Sequence, residues 1–304
     1  MTDRLALPMS HDARYGAGLD RTLVLGGGGV WFIAWQTGYL RTLMKLGIDL
    51  GLAERVVGTS AGSVMASIVT GRRLAAFSTA IAGLAKAPAL VSALAPAGSL
   101  SPSQDRALEM FRAAQDNRPE TIQAIGYAAL AADTPSASTM ARNVTVLLAM
   151  RRWPSSRLAI TCVDTYTGER CVINATDRIG LPRAVAASSA VPGLFPPQPI
   201  ADRKCMDGGV SGSGTHTDLV AGARRALVIS LTDGTATDTW GTVEPGGIAA
   251  QFAALAASGT EVALCVPRGP VPDDLMNPRD VPDALARGTA QAIEDHPGLA
   301  RMWS

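Results

Sequence analysis

The sequence predicts an α/β fold with a mainly parallel central sheet and a helical insertion. Three observations carry this. Residues 22–70 spell strand, helix, strand, helix, the order expected of a parallel sheet with right-handed crossovers. Residues 72–150 are rich in Ala and Leu, are punctuated by Pro88, Pro96, Pro102, Pro119 and Pro135, and show no clear strand. Two later apolar runs, ALVISL at 226–231 and EVALCV at 261–266, flank an Ala-rich helical stretch.

The elements follow in order. Residues 1–21 read as a loose N-terminal arm. TLVL at 22–25 is short, apolar and β-prone, and Gly26, Gly27, Gly28 and Gly29 end it. A helix is predicted over 33–45, closed by Gly47. Residues 55–57 form a second strand leading into GTSAG at 58–62, and a buried helix over 63–70 stops at Gly71. RRWPSSR at 151–157 is a polar break. LAITCV at 158–163 and RCVI at 170–173 flank TYTG at 165–168, which reads as a hairpin. A short helix is expected over 181–189, a rigid proline-rich loop over 192–199, and a strand at 204–206 that runs into Asp207-Gly208-Gly209. The last helix is expected over 280–293. No linker divides the chain, so residues 22–231 read as one domain that residues 232–304 complete.

Composition narrows the function classes. The 304 residues suit one large α/β domain, and 47% apolar against 17% charged residues is too apolar for a disordered chain. With 27 basic and 26 acidic residues, the net charge of +1 argues against nucleic-acid binding by bulk charge. Residues 23–40 are uncharged, but their four glycines, Gln36 and Thr37 make a poor membrane span. No signal-peptide run is visible near the start. Cys162, Cys171, Cys205 and Cys265 are far apart in sequence, and His11, His216 and His296 lack ligand spacing, so no metal site is expected. These features fit a reduced, cytoplasmic setting. The low charge permits peripheral contact with a membrane. The sequence carries no signal for an oligomeric state.

Three pieces carry chemistry. GTSAG at 58–62 places Ser60 between a strand and a helix, where a sharp turn exposes a nucleophilic hydroxyl and small neighbours let other elements pass. The helix that follows points its N-terminal dipole at that site. The Gly26-Gly27-Gly28-Gly29 run, after the preceding strand, can turn backbone N–H groups toward one anionic point. No Gly-Lys-Ser/Thr follows it, which removes a P-loop, and Phe32 stands where a dinucleotide fingerprint needs Gly. An oxyanion hole fits better, because neighbouring parallel strands would bring this turn beside Ser60. Asp207, leaving a strand before Gly208 and Gly209, can project into the crevice at the strand's end. An α/β-hydrolase would also use a late histidine, His216 or His296, though both read as loop or surface residues. If neither serves, Asp207 must take the Ser60 proton itself, from a partly desolvated site. Cys205, two residues before Asp207, reads as structural.

Four blocks in this order resemble the patatin-like phospholipase family: LGGGGV at 25–30, GTSAG at 58–62, AASSAVPGLFPP at 186–197 and MDGG at 206–209. GTHTDL at 214–219 and LMNP at 275–278 are similar to pieces of bacterial members. The resemblance covers about residues 23–231. It implies a three-layer αβα sandwich and hydrolysis of lipid acyl esters by a Ser-Asp dyad, with no metal and no cofactor. Carried over, Ser60 is the nucleophile, Asp207 the base, and the amides of Gly27, Gly28 and Gly29 form the oxyanion hole. Gly58, Gly62, Gly208 and Gly209 complete the motifs. One departure stands out: the family's glycine loop continues with a basic residue and a glycine, where this chain has Trp31 and Phe32. Trp31, Phe32 and Trp35 read either as core packing or as part of an acyl-chain wall. The departure keeps open a non-catalytic lipid-binding protein on the same fold. The helices of residues 75–132 are expected to supply an acyl groove or lid.

Overall fold

The structure is a computed structural model that describes residues 5–83, 99–234, 243–244 and 246–304. Its strands are β1 Arg21–Leu25, β2 Arg55–Gly58, β3 Leu158–Asp164, β4 Arg170–Ile173, β5 Gln198–Ile200, β6 Arg203–Asp207, β7 Arg225–Ile229 and β8 Glu261–Cys265. They form one sheet. Its parallel part runs β3-β2-β1-β7-β8, while β4 and β6 run antiparallel to β3, and β5 antiparallel to β6.

Helices cover both faces. They are α1 Gly29–Lys45, α2 Ala61–Thr70, α3 Leu74–Ala82, α4 Pro102–Arg112, α5 Pro119–Ala131, α6 Ala137–Leu148, α7 Leu181–Ser188, α8 Gly247–Ala257 and α9 Val281–Trp303. Strand side chains alternate between faces with period two. Leu23, Leu25, Leu227 and Ile229 join the larger core with α1, α2, α3, α6, α7 and α9. Val24, Val57, Ala226 and Val228 turn to the other face, under Leu219, Val220 and Leu255 of α8. Beyond them Val163 and Met206 pack on Phe111 of α4 and on Ile122 and Ile125 of α5. This is the three-layer αβα arrangement. Among the described residues no helix is long and apolar enough to cross a membrane.

The register of β3 positions the site. Ile160 pairs with Ile173 of β4 on one side and with Gly58 of β2 on the other. Two residues further on, Cys162 pairs with Cys171 of β4 and with Asp207 of β6. A residue's two cross-strand partners lie on opposite edges, so β2 and β6 share one edge of β3 end to end. The end of β2 and the end of β6 therefore meet, about 7 Å apart along β3.

Three expectations change. The first helix starts at Gly29, four residues early, because the last of the glycines belongs to it. The last helix runs through Pro297 to Trp303, because Leu299, Met302 and Trp303 are buried against the core. The N-terminal segment is tied down rather than loose. Ala6 bridges Cys171, and the Leu7 N–H donates to the Arg170 carbonyl at 3.1 Å.

Candidate active site

Ser60 sits between β2 and α2 with φ 52° and ψ −121°, a left-handed conformation unusual for a residue with a side chain. Such strain persists only where the surroundings enforce it. They do so here. A Cβ on Gly62 would lie 1.8 Å from the Leu25 carbonyl oxygen, and one on Gly58 2.7 Å from the Gly62 carbonyl oxygen. Only glycine at both places lets the turn close. The Ser60 N–H donates to Ser188 Oγ at 2.9 Å, and the Ser60 carbonyl accepts the Ser63 N–H at 2.8 Å to start α2.

The glycine loop lies against this turn, since a Cβ on Gly27 would sit 3.2 Å from Ser60 Cβ. Gly28 at φ 156° and Gly29 at φ 65° need glycine's freedom. The Gly27 N–H is already engaged, donating to the Gly214 carbonyl at 3.1 Å. The Trp31 N–H likewise donates to the Leu275 carbonyl at 2.9 Å. Between them, the N–H groups of Gly28 and Gly29 have no hydrogen-bond acceptor among the described residues. The Ala61 N–H, at the orphan first position of α2, is in the same condition. Sequence reading did not single it out.

Asp207 ends β6 and is buried. Its N–H donates to the Ala190 carbonyl at 3.0 Å. Its Oδ1 accepts the Gly209 N–H at 2.8 Å, and its Oδ2 has no partner of normal geometry. Burial pushes the carboxyl up to about 7, against the Gly209 N–H and the nearby Ser60 hydroxyl, which both lower it. Gly208 is packed so closely that a Cβ would lie 2.7 Å from the Thr161 carbonyl oxygen.

Ser60, Asp207, Gly27, Gly28, Gly29 and Gly209 all line one cavity of about 220 Å³. Much of its wall is apolar, with Leu108 and Phe111 from α4, Met140 and Val144 from α6, and Leu194 and Phe195 from the proline-rich loop, while Arg112 and Asp274 also line it. The expected groove from residues 75–132 is therefore shifted. Residues of α4 contribute, α3 and α5 do not, and α6 lies beyond that range. Residues 84–98 are outside the described residues. The AASSAVPGLFPP block now has defined contacts. Ser188 holds the Ser60 turn, Ala190 holds Asp207, and Ser189, Val191, Leu194 and Phe195 line the cavity. Its unusual spacing was visible in the sequence, but which element each residue would touch was not.

Trp31, Phe32 and Trp35 are buried in the core, with Phe32 stacked on Trp35 and Trp35 on Tyr39. None of the three lines the cavity; Val30 and Ile33 do. Phe32 also fills the space over Gly28, whose Cβ would meet it at 2.7 Å. Neither late histidine faces Ser60. His216 is buried behind the Asp207 turn, and His296 lies 3.1 Å from the Leu46 carbonyl on the surface.

Three of the cysteines, far apart in sequence, meet in the fold. Cys162, Cys171 and Cys205 sit on adjacent strands, their sulfurs within 4.8 Å of one another. The pairing of β6 back onto β3 brings them together. Hydrogen bonds to its neighbours and burial push the Cys162 thiol up. Three soft donors in an apolar core could hold a soft cation but fall short of zinc's usual four ligands.

The family model described as patatin-like phospholipase matches residues 23–219, about two thirds of the chain. Among solved structures, the type III effector protein ExoU matches at 19% identity with a TM-score of 0.38, covering 95% of this chain and 54% of its own. VipD from Legionella pneumophila matches at 12% identity with a TM-score of 0.38, covering 96% of this chain and 68% of its own. The chain thus spans about half the length of ExoU. No curated protein matches the sequence.

Proposed function

Because this chain belongs to the patatin-like phospholipase family, a family of lipid ester hydrolases, we propose that it cleaves fatty-acyl esters of lipids through a Ser60–Asp207 dyad. The observation that carries this reading is the shared edge of β3, which sets Asp207 at the end of β2, where the Ser60 turn begins.

In this reading Ser60 Oγ attacks the ester carbonyl, and its proton passes to Asp207. A carboxyl pushed up to about 7 is a stronger base than an ordinary aspartate, yet still ionised in useful fraction near neutrality. The tetrahedral oxyanion is met by the amides of Gly28 and Gly29, with the positive end of the α2 dipole behind Ser60. Gly27 joins them only by giving up the Gly214 carbonyl. Collapse of the intermediate returns the proton from Asp207 to the leaving alcohol or lysolipid. Water, losing its proton to Asp207, then attacks the acyl-Ser60 ester and frees the fatty acid. The acyl chain lies along Leu108, Phe111, Met140 and Leu194, which favours hydrocarbon over charge.

Two observations favour this reading over its rivals. Trp31 and Phe32 suggested a lipid binder without chemistry, but both are core residues and leave the loop amides untouched. A histidine base would have to face Ser60, and neither His216 nor His296 lines the cavity. Hydrolysis of a short-chain nitrophenyl ester tests the proposal. Ser60→Ala and Asp207→Asn are each expected to lower kcat/KM on the order of a thousandfold. A fluorophosphonate should label wild type at Ser60. Wild-type rates in either folded variant would remove that residue's role.

A further inference from the structure

The peptide group between Gly208 and Gly209 is held on both sides. Its N–H donates to Asp207 Oδ1 at 2.8 Å. Its carbonyl oxygen accepts the Ser211 hydroxyl at 2.8 Å and lies 3.2 Å from His216 Nε2. On the far side of that imidazole, Nδ1 lies 3.3 Å from Arg170 Nη1. A guanidinium offers only donors, so Nδ1 must accept and the ring proton must sit on Nε2. Arg170 thereby fixes the tautomer that can donate to the Gly208 carbonyl. Arg170 is itself clamped. Asp218 takes it bidentately at 2.7 and 2.8 Å, and the Leu7 and Pro8 carbonyls take its remaining N–H groups at 2.9 and 2.8 Å.

From this chain of bonds we propose that His216, locked by the Arg170–Asp218 pair, is a positioning residue that sets the basicity and orientation of Asp207 through the Gly208–Gly209 peptide. The proposal rests on the Ser60–Asp207 reading. A donor on a peptide carbonyl polarises the group and strengthens the hydrogen bond made by its N–H. That bond favours the ionised carboxylate. The Gly209 N–H donates to Oδ1 at 2.8 Å, so the strength of that bond bears directly on the base.

One feature argues against mere packing. The side chains of Arg170 and Asp218 are only 3% and 2% exposed, and a buried ion pair is a poor way to stabilise a core.

The charged and titratable surroundings keep the roles apart. His216 faces Arg170 from β4 and Asp218 from its own turn, with His11 and Asp12 of the N-terminal segment beyond them. Burial, and then Arg170, hold His216 down to about 3, so it stays neutral in the working range. His11 is lowered by burial. Among the described residues no charged side chain shifts Asp207; Ser60 and the Gly209 N–H act on it, and its β3 partner Cys162 carries a raised, neutral thiol.

The test is the pH profile of kcat/KM for a short-chain nitrophenyl ester, from about pH 5 to about pH 9, in His11→Asn and wild-type backgrounds. His216→Leu should move the acid limb up by about half a pH unit, with kcat lowered and KM little changed. His216→Gln, which keeps an N–H donor, should fall between the two. If His216→Leu does not fold, Arg170→Lys reads the same shift, since it loses the bidentate grip. A folded His216→Leu whose acid limb coincides with wild type would overturn the proposal. The dyad is judged separately: activity retained in Ser60→Ala or Asp207→Asn ends that reading, whereas inactive dyad variants with an unmoved His216→Leu profile end only this one.

Discussion

The burial of Asp207 costs stability once its carboxyl ionises. Its folded carboxyl holds a proton up to about pH 7, whereas the unfolded chain releases it near 3.8. The folded state is therefore favoured by this group below about pH 4, and that contribution is lost as pH rises through 7. Three units at about 1.4 kcal/mol each make the upper bound a few kcal/mol. Asp207→Asn cannot ionise, so it should melt at a higher temperature than wild type at pH 8, with the gain vanishing near pH 4. Thermal unfolding at both values checks this, and an equal gain at both would refute the assigned cause. His216 has the opposite sign. Held neutral to about pH 3, it contributes stability above its ordinary value near 6.5, which is lost as pH falls.

At the scale of elements, α1 and α9 approach one another closely. A Cβ on Gly38 would lie 2.2 Å from the Leu285 carbonyl oxygen, and one on Gly288 2.1 Å from the Trp35 carbonyl oxygen. Neither acceptor is a flexible side chain, so one helix must move. Gly38→Ala and Gly288→Ala should each cost about 1–3 kcal/mol. Gly298, exposed near the end of α9 with open space around it, should behave oppositely: Gly298→Ala should stabilise by about 1 kcal/mol. Chemical denaturation separates the three, and a neutral Gly38→Ala would show that the helices are free to slide apart. The sequence displayed α1 and α9 unevenly. Glycines at 26–29 hid the start of α1, because a glycine can cap and begin a helix as well as break a strand. Pro297 hid the end of α9 beyond residue 293, which holds because tertiary burial of Leu299, Met302 and Trp303 outweighs the local penalty of a proline. Local hairpin signals revealed β3 and β4. The return of β6 to the other edge of β3, the one β2 also occupies, spans about 40 residues and has no local signature, and it is this pairing that brings Asp207 to the Ser60 turn.

On the scale of the whole molecule, the motif residues were legible because each needs a residue type at a tight backbone position. The network behind them was not. Arg170, His216, Asp218 and the carbonyls of Leu7 and Pro8 come from three separated stretches, and only the folded chain puts them in one place. The N-terminal segment is thus bonded into the network that reaches the Gly208–Gly209 peptide. Ala6 bridges Cys171, Leu7 and Pro8 accept from Arg170, and the Ser10 N–H donates to Asp218 at 3.1 Å. A chain lacking residues 1–9 would leave two guanidinium donors without those acceptors in a buried place, at about 1–3 kcal/mol apiece. It should melt several degrees below the full chain. Because Arg170 would be freer to turn away from His216, its acid limb in kcat/KM should also rise, in the direction set for His216→Leu. Thermal unfolding and the pH profile of the same shortened chain test the two effects together. A lower melting temperature with an unmoved limb would make the segment a fastening of the fold alone, and an unchanged melting temperature would mean that Arg170 finds its acceptors elsewhere.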